Sequence, residues 1–455
     1  MTKREIDWSR FAAELDGIRI LLNGNQVRAK SKDFFWYSPI LNEQLKDCVG
    51  DLVVMPRTEA EVIRVAAAVA RWRVPLTIRG AGTGNYGQCV PLAGGVILDT
   101  TELNQVLAIR PGSVRVQTGA RIAKVLEAVQ EQGQELLMFP STLRIATIGG
   151  FIAGGSLGVG SIRNGALKDA GNVTAIRVVT VEPEPRIIEL LGADIQKVHH
   201  AYGTNGIITE LELCIKPAFD WQHNIMLFDH YTDALRFCKA ASTPELDLFL
   251  LTSVDRNFAP YYEELLGEHF PADRDAVFAM VAPQSLTAYR QLALAHGGRE
   301  SLCMSATELE QQELPPAYEC AYNHTTLHAI KVDKQRTYLQ YAMPSPLDPD
   351  LCQRFAEHFG DEVYWHHEFA RQSDAYQCFG IPLVRFSTAE RLYEVMAYLE
   401  QNGCAIFDPH VVTIEDGGIK EIDDLQIEFK KLADPYGLLN PGKTRGWDQS
   451  MARQN

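Results

Sequence analysis

The segment Arg79-Gly80-Ala81-Gly82-Thr83-Gly84-Asn85-Tyr86-Gly87 constrains this chain more than any other. Leu76, Thr77 and Ile78 before it read as a short buried strand, and Val96-Ile97-Leu98-Asp99 after it reads as another. Its four glycines leave backbone N–H groups unshielded by Cβ atoms and allow positive φ where needed. Successive N–H groups in such a turn form a concavity for anions, and Arg79 is expected to add a fixed charge at its rim. A diphosphate is the natural guest; in isolation, the same cluster also reads as a flexible surface turn. Gly82-x-Gly84-x-x-Gly87 has the spacing of a dinucleotide fingerprint, but that fingerprint needs a helix to begin inside the glycines. Here the chain continues Gln88-Cys89-Val90-Pro91-Leu92-Ala93-Gly94-Gly95 into a strand, which demotes the NAD-dependent reading. A loop joining two strands and wrapping a diphosphate by backbone contacts remains.

With 455 residues, 46% of them hydrophobic and 22% charged, the chain is sized for two or three globular domains. A formal net charge of −15 argues against nucleic acid as a partner. Nine scattered cysteines form no CxxC pair, so neither a disulfide framework nor a zinc ribbon is indicated, and a reducing cytoplasm is expected. The start, Met1-Thr2-Lys3-Arg4-Glu5, lacks the apolar core of a secretion signal. Gly150, Gly154 and Gly158 share the spacing of packed membrane helices. Arg144 and Arg163 bracket that run, and its glycines are poor helix formers, so no membrane span is expected.

In chain order, 5–22 reads as an amphipathic helix, 33–39 as an aromatic cluster, and Leu52-Val53-Val54-Met55 as a strand. Thr58 and Glu61 form a capping box for a helix over 59–72. Strands near 96–99, 105–109 and 114–117 precede a helix from Gly119 to Gly133. A second glycine-rich segment follows, from Pro140-Ser141-Thr142 through Ala146-Thr147-Ile148-Gly149-Gly150 to Gly154-Gly155. Its doublets let backbone approach a flat or extended ligand, or else mark a tightly packed sheet corner. Strands at 173–181, 187–190 and 210–215 complete the first part. Beyond about 220, strand-like runs (225–229, 246–252, 277–281, 337–341, 362–366, 383–386, 404–407) alternate with helical ones (231–240, 284–295, 348–359, 388–401), an α+β pattern.

Four segments together resemble the FAD-binding oxidoreductases of the vanillyl-alcohol oxidase, or PCMH-type, family. They are Met55-Pro56-Arg57-Thr58-Glu59-Ala60-Glu61-Val62, the Arg79–Gly87 loop, Ala146-Thr147-Ile148-Gly149-Gly150 and Gly206-Ile207-Ile208-Thr209. The tail, with Asp434-Pro435-Tyr436-Gly437 and Asn440-Pro441-Gly442-Lys443, is similar to that of the glycolate oxidase and D-lactate dehydrogenase subgroup. The resemblance implies an α+β fold: a two-lobed FAD-binding domain over 1–218, an α+β cap with helices on one face of its sheet over 219–415, and a returning segment over 416–455. It implies FAD held by Arg79, Gly80, Ala81, Gly82, Thr83, Gly84 and Asn85 at the diphosphate. Pro140, Ser141, Thr142, Thr147, Gly149, Gly150 and Gly154 would lie along the ribityl chain and ring, Ile207 near the adenine, and Asn440 in the tail. Thr83 and Asn85 stand where some members carry a tethering histidine, so the FAD is expected to be non-covalent. The cap sequence Tyr364-Trp365-His366-His367-Glu368-Phe369 lacks the Gly-Asp-Gly common in the hydroxy-acid subgroup.

The implied activity is oxidation of a small alcohol or 2-hydroxy acid by hydride transfer to flavin N5. The alternatives are an FAD-bearing subunit of a larger electron-transfer complex and a non-catalytic flavin-binding protein; a homodimer or an electron-acceptor partner is compatible with each. Candidates for the chemistry are Tyr341 as base or donor, Arg385 on the strand Leu383-Val384-Arg385-Phe386 as a carboxylate partner, His410 as base, and His324. His324 and His328 stand at i, i+4, but with no third ligand evident no metal is expected. His366 and His367 cannot face the same side of one strand, so at most one is expected to reach the flavin.

Overall fold

The computed structural model describes residues 6–452 apart from 374 and 421; the Met1–Glu5 start lies outside the described residues. Two small sheets build the first part. In one, the parallel strands Leu52–Met55, Val96–Asp99 and Leu76–Arg79 lie side by side with Val96–Asp99 in the middle. Their side chains are almost wholly buried, as a parallel sheet covered on both faces requires. Helix Glu59–Trp72 covers one face through Val62, Val65, Ala66 and Val69. Thr58 Oγ1 accepts from Glu61 N–H as expected, while the Glu61 carboxylate reaches one residue further back, to Arg57 N–H at 2.6 Å.

The expected helix over 5–22 is only Trp8–Ala13. Gly17, at φ +84°, breaks the run, and Arg19–Leu21 pairs antiparallel with Met55 to Val53. Phe11 and Leu15 are still buried, because the turn keeps both on the helix Glu59–Trp72 side of the sheet.

The second sheet orders Val106–Arg110, Ser113–Gln117, Ile207–Pro217, Val173–Val179 and Ile187–Leu191, all antiparallel. Helix Ile122–Gln130 packs on it through Ile122, Val125 and Val129. The glycine run near 150 makes only the short helix Ile148–Gly154, capped by Thr147 Oγ1. Among the described residues no helix is long and apolar enough to cross a membrane.

The third sheet has eight antiparallel strands, with Asp275–Val281, Leu248–Val254 and His366–Gln372 near its centre and Ala375–Gly380 next to Tyr341–Ala342. Helices Tyr231–Ala241, Leu286–Ala295, Pro349–Phe359 and Ala389–Gln401 share one apolar cluster with Met226, Phe228, Val277 and Ala279 of this sheet. Ile225, Leu227 and Phe278 face the other way, toward Tyr262 of helix Ala259–Leu266 and toward Phe139 of the first part. Adjacent residues therefore serve opposite faces, as the pleat requires.

The tail returns to the first sheet. Leu439 bridges Leu76, whose N–H donates to Leu438 O and whose carbonyl accepts from Asn440 N–H, each at 2.8 Å. Lys430 is buried against Asp434 Oδ2 and Thr204 O, both at 2.8 Å, so this ammonium is paired and hydrogen-bonded.

Candidate functional site

A cavity of about 350 Å³ runs from the first glycine loop, past the second glycine segment, to the wall of the eight-stranded sheet. That is within the range of small-molecule sites. Gly80, Ala81, Gly82, Thr83, Gly84, Asn85, Pro140, Ser141, Thr142, Thr147, Gly149, Gly150 and Gly154 all line it. Gly82 and Gly87 sit at φ +70°, where an L side chain is strained. Gly80 and Gly84 are needed for closeness instead: a Cβ would stand 2.2 Å from Thr147 Oγ1 in one case and 1.8 Å from Gln88 Oε1 in the other.

Arg79 corrects one expectation. Its guanidinium lies beneath the loop, not at its rim, donating to Ala81 O at 3.0 Å and to Lys32 O, with Cys89 Sγ 3.4 Å away. It shapes the loop by holding carbonyls away from the cavity. Asp33 and Lys443 are buried nearby, the latter donating to Gly87 O at 2.6 Å. Burial raises the Asp33 carboxyl to about 6 and lowers Lys443 to about 8, each opposed by attraction to the other. Burial also lifts the Cys89 thiol to about 11, which makes it a packing group, not a nucleophile.

Two other expected contacts lie behind the wall. Ile207 is buried in the apolar core with Val179 and Leu438, while its neighbours Gly206 and Ile208 line the cavity, a consequence of strand alternation. Asn440 cross-braces the tail, its Nδ2 donating to Gln88 O at 2.8 Å and Tyr202 O at 2.6 Å.

The wall on the side of the eight-stranded sheet carries Tyr322, Asn323, Gln340, Tyr341, Glu368 and Phe379, among others. Glu368 is the residue that sequence reasoning missed. Its Oε1 accepts from Tyr322 N–H at 2.6 Å and Thr252 Oγ1 at 2.9 Å, and lies 2.7 Å from His366 Nε2. Its Oε2 is buried with no partner among the described residues. One oxygen is thus fixed by three groups and the other is left free on a residue that lines the cavity.

Of the four candidates for chemistry, only Tyr341 lines the cavity, and its hydroxyl is 2.9 Å from His367 Nε2. His367 Nδ1 is in turn 2.8 Å from Tyr231 Oη, and burial pushes this imidazole down to about 3. Arg385 is exposed at the end of its strand, opposite Arg336, so the expectation of a half-buried charge facing substrate is corrected. His410 is buried but satisfied, 2.7 Å from Ser38 Oγ and 2.8 Å from Tyr338 O, away from the cavity lining. His324 Nδ1 is 2.7 Å from Glu319 Oε2, off the line of a hydrogen bond, and His328 Nε2 meets Glu319 O at 3.2 Å. That pair serves its own loop. Among the described residues no group of three His, Cys, Asp or Glu is placed to hold a metal.

The comparisons with known proteins fit this geometry. Residues 50–189 match the family described as FAD binding domain. The chain carries that domain. It is similar to the glycolate oxidase subunit GlcD of Bacillus subtilis, 29% identical over 195 residues, which is 40% of this chain and 41% of that protein. It is similar also to a D-lactate dehydrogenase of Anaerostipes hadrus, 29% identical over 182 residues, 37% of each chain. The matches thus span about two fifths of the length of these relatives. In fold, an alkyldihydroxyacetonephosphate synthase superposes with a TM-score of 0.73 at 16% identity, covering 97% of this chain and 86% of that one. A BBE-like 1 variant of Physcomitrella patens gives 0.67 at 12% identity, covering 95% and 98%. The α+β fold is that of these structures.

The FAD binding domain suits its cofactor on structural grounds. No backbone N–H from Ala81 to Tyr86 is paired among the described residues, although these residues line the cavity. Unpaired N–H groups on a glycine turn are what a diphosphate needs. His200, which also lines the cavity, is 2.9 Å from Gly155 O and is pushed by burial down to about 4, so it stays neutral there.

Proposed function

We propose that the chain is an FAD-dependent oxidoreductase that oxidises the CH–OH group of a small molecule, with Glu368 as the proton acceptor. The observation that carries this is that Glu368, whose buried Oε2 has no partner among the described residues, lines the same cavity as the glycine loop that would cradle FAD. FAD, when bound, supplies the two-electron acceptor for the carbon–hydrogen bond. The hydroxyl proton leaves to Glu368 Oε2, and the carbon–oxygen bond becomes a carbonyl. His366, Thr252 and the Tyr322 amide hold Oε1, so the carboxylate keeps its orientation while Oε2 works. Tyr341, fixed by His367, is a positioning residue at the same wall. In this reading 1–218 and 416–455 hold the cofactor, and 219–415 supply the substrate wall.

The test is anaerobic flavin reduction by a panel of alcohols and hydroxy acids. Glu368→Gln should keep its FAD and lose about 10²–10⁴-fold in the rate of reduction, the usual worth of a positioned base. Full reduction at the parental rate would remove Glu368 from the chemistry. No reduction by any alcohol or hydroxy acid would remove the oxidase reading itself.

A further inference from the structure

Resting on that oxidation, we propose that the donor is an uncharged alcohol with an apolar body, and that the site turns 2-hydroxy acids away. The cavity contains no lysine or arginine among its described lining residues. Its one acidic lining residue is Glu368, 1% exposed. A substrate carboxylate brought here would be desolvated with no cation to meet it, and would stand beside a second carboxylate. Like charges brought together away from water repel, and that repulsion weakens binding of an anionic donor.

The orphaned polar atoms point the same way. Glu368 Oε2 and Asn323 Oδ1 are both buried, both without a partner among the described residues, and both on residues that line this cavity. Each accepts a hydrogen bond. A hydroxyl supplies the donor they lack, whereas a carboxylate brings only more acceptors. Around them Leu157, Phe379 and Phe407 make an apolar wall, continuous with Ala342 and Ala370 of the sheet. That wall rewards a hydrocarbon body at about 25 cal/mol per Å² covered. Arg385, the one cation that the sequence offered for a carboxylate, is exposed and absent from the lining. GlcD and the D-lactate dehydrogenase are named for hydroxy acids; this cavity departs from that substrate class.

The experiment uses the FAD-loaded full chain and three probes on one phenyl body: benzyl alcohol, mandelate and benzylamine. Binding is read by calorimetry near neutral pH, and anaerobic flavin reduction is followed alongside. Benzyl alcohol should bind at least about tenfold more tightly than mandelate, the effect expected of one uncompensated like charge. Glu368→Gln should narrow that gap by about tenfold, and Gln372→Arg, which places a cation on the lining, should raise mandelate affinity. Equal or tighter binding of mandelate by the parent overturns the proposal, as does a gap that survives in Glu368→Gln. Tighter binding of benzylamine would make the donor a cation and overturns it too. The parental comparison needs no variant to fold. Reduction by hydroxy acids alone would sink this proposal and leave the oxidation intact; no reduction by any probe or by the wider alcohol panel would sink both.

Discussion

Gly82→Ala tests whether the loop geometry, and not merely its glycine content, binds the cofactor. Gly82 sits at φ +70°, and a Cβ there would stand 2.2–2.3 Å from the Arg79 guanidinium. The strained backbone costs about 1–2 kcal/mol. Making room means moving a guanidinium that holds Ala81 O and Lys32 O, and each such charged hydrogen bond is worth roughly 1.5–3 kcal/mol. The free protein can relax the loop, so most of the cost falls on binding. The sum, about 4–8 kcal/mol if both bonds are lost, corresponds to roughly 10³–10⁶ in the FAD dissociation constant. The assay is titration of apoprotein with FAD, followed by quenching of flavin fluorescence. Gly112→Ala is the control: its φ is +86° but a Cβ there meets nothing within 4 Å, so stability should fall by about 1 kcal/mol with FAD affinity unchanged. In an Arg79→Ala background the clash is gone, and Gly82→Ala should add only the backbone strain, about 1–2 kcal/mol. A dissociation constant for Gly82→Ala within about threefold of the parent, or additive effects in the cycle, would refute the reasoning.

Three other outcomes are expected. Burial lowers His410 to about 4, so below its ordinary value the unfolded chain takes up the proton first. His410 therefore contributes stability above about pH 6.5 that is lost as pH falls toward 4, roughly 3 kcal/mol in all, and His410→Gln should flatten that part of the urea-midpoint profile. Tyr341→Phe, which leaves His367 without one hydrogen-bond partner, should cost about 1–3 kcal/mol by denaturant melts and slow flavin reduction far less than Glu368→Gln does. Arg385→Ala should stay within about 0.5 kcal/mol of the parent and reduce flavin at the parental rate, because the side chain is exposed and outside the cavity lining.

Local rules carried most of the first part. Thr58 before an apolar stripe did mark a helix start, and Leu76–Arg79, then glycines, then Val96–Asp99 did mark two strands, because a parallel buried strand is a short apolar run with little else it can be. Arg79 was misplaced because a charge beside an anion loop can serve from either side, and only packing against Lys32 and Ala81 chooses beneath. The cap site failed on a boundary. Ending a strand at 366 left Glu368 outside any element, whereas the strand runs His366–Gln372 at the middle of an eight-stranded sheet. Extended by two residues, the run His366-His367-Glu368 puts His366 and Glu368 on one side and His367 on the other. An acid on a buried strand is the same signal that drew attention to Arg385. It is the stronger of the two, because Glu368 lies inside a buried seven-residue strand and Arg385 is the exposed last residue of a three-residue one. What no pattern in the chain displays is which acceptor stays empty. Thr252 and Tyr322 reach Glu368 across 116 and 46 positions of sequence, and it is their arrival at Oε1 that leaves Oε2 without a partner among the described residues.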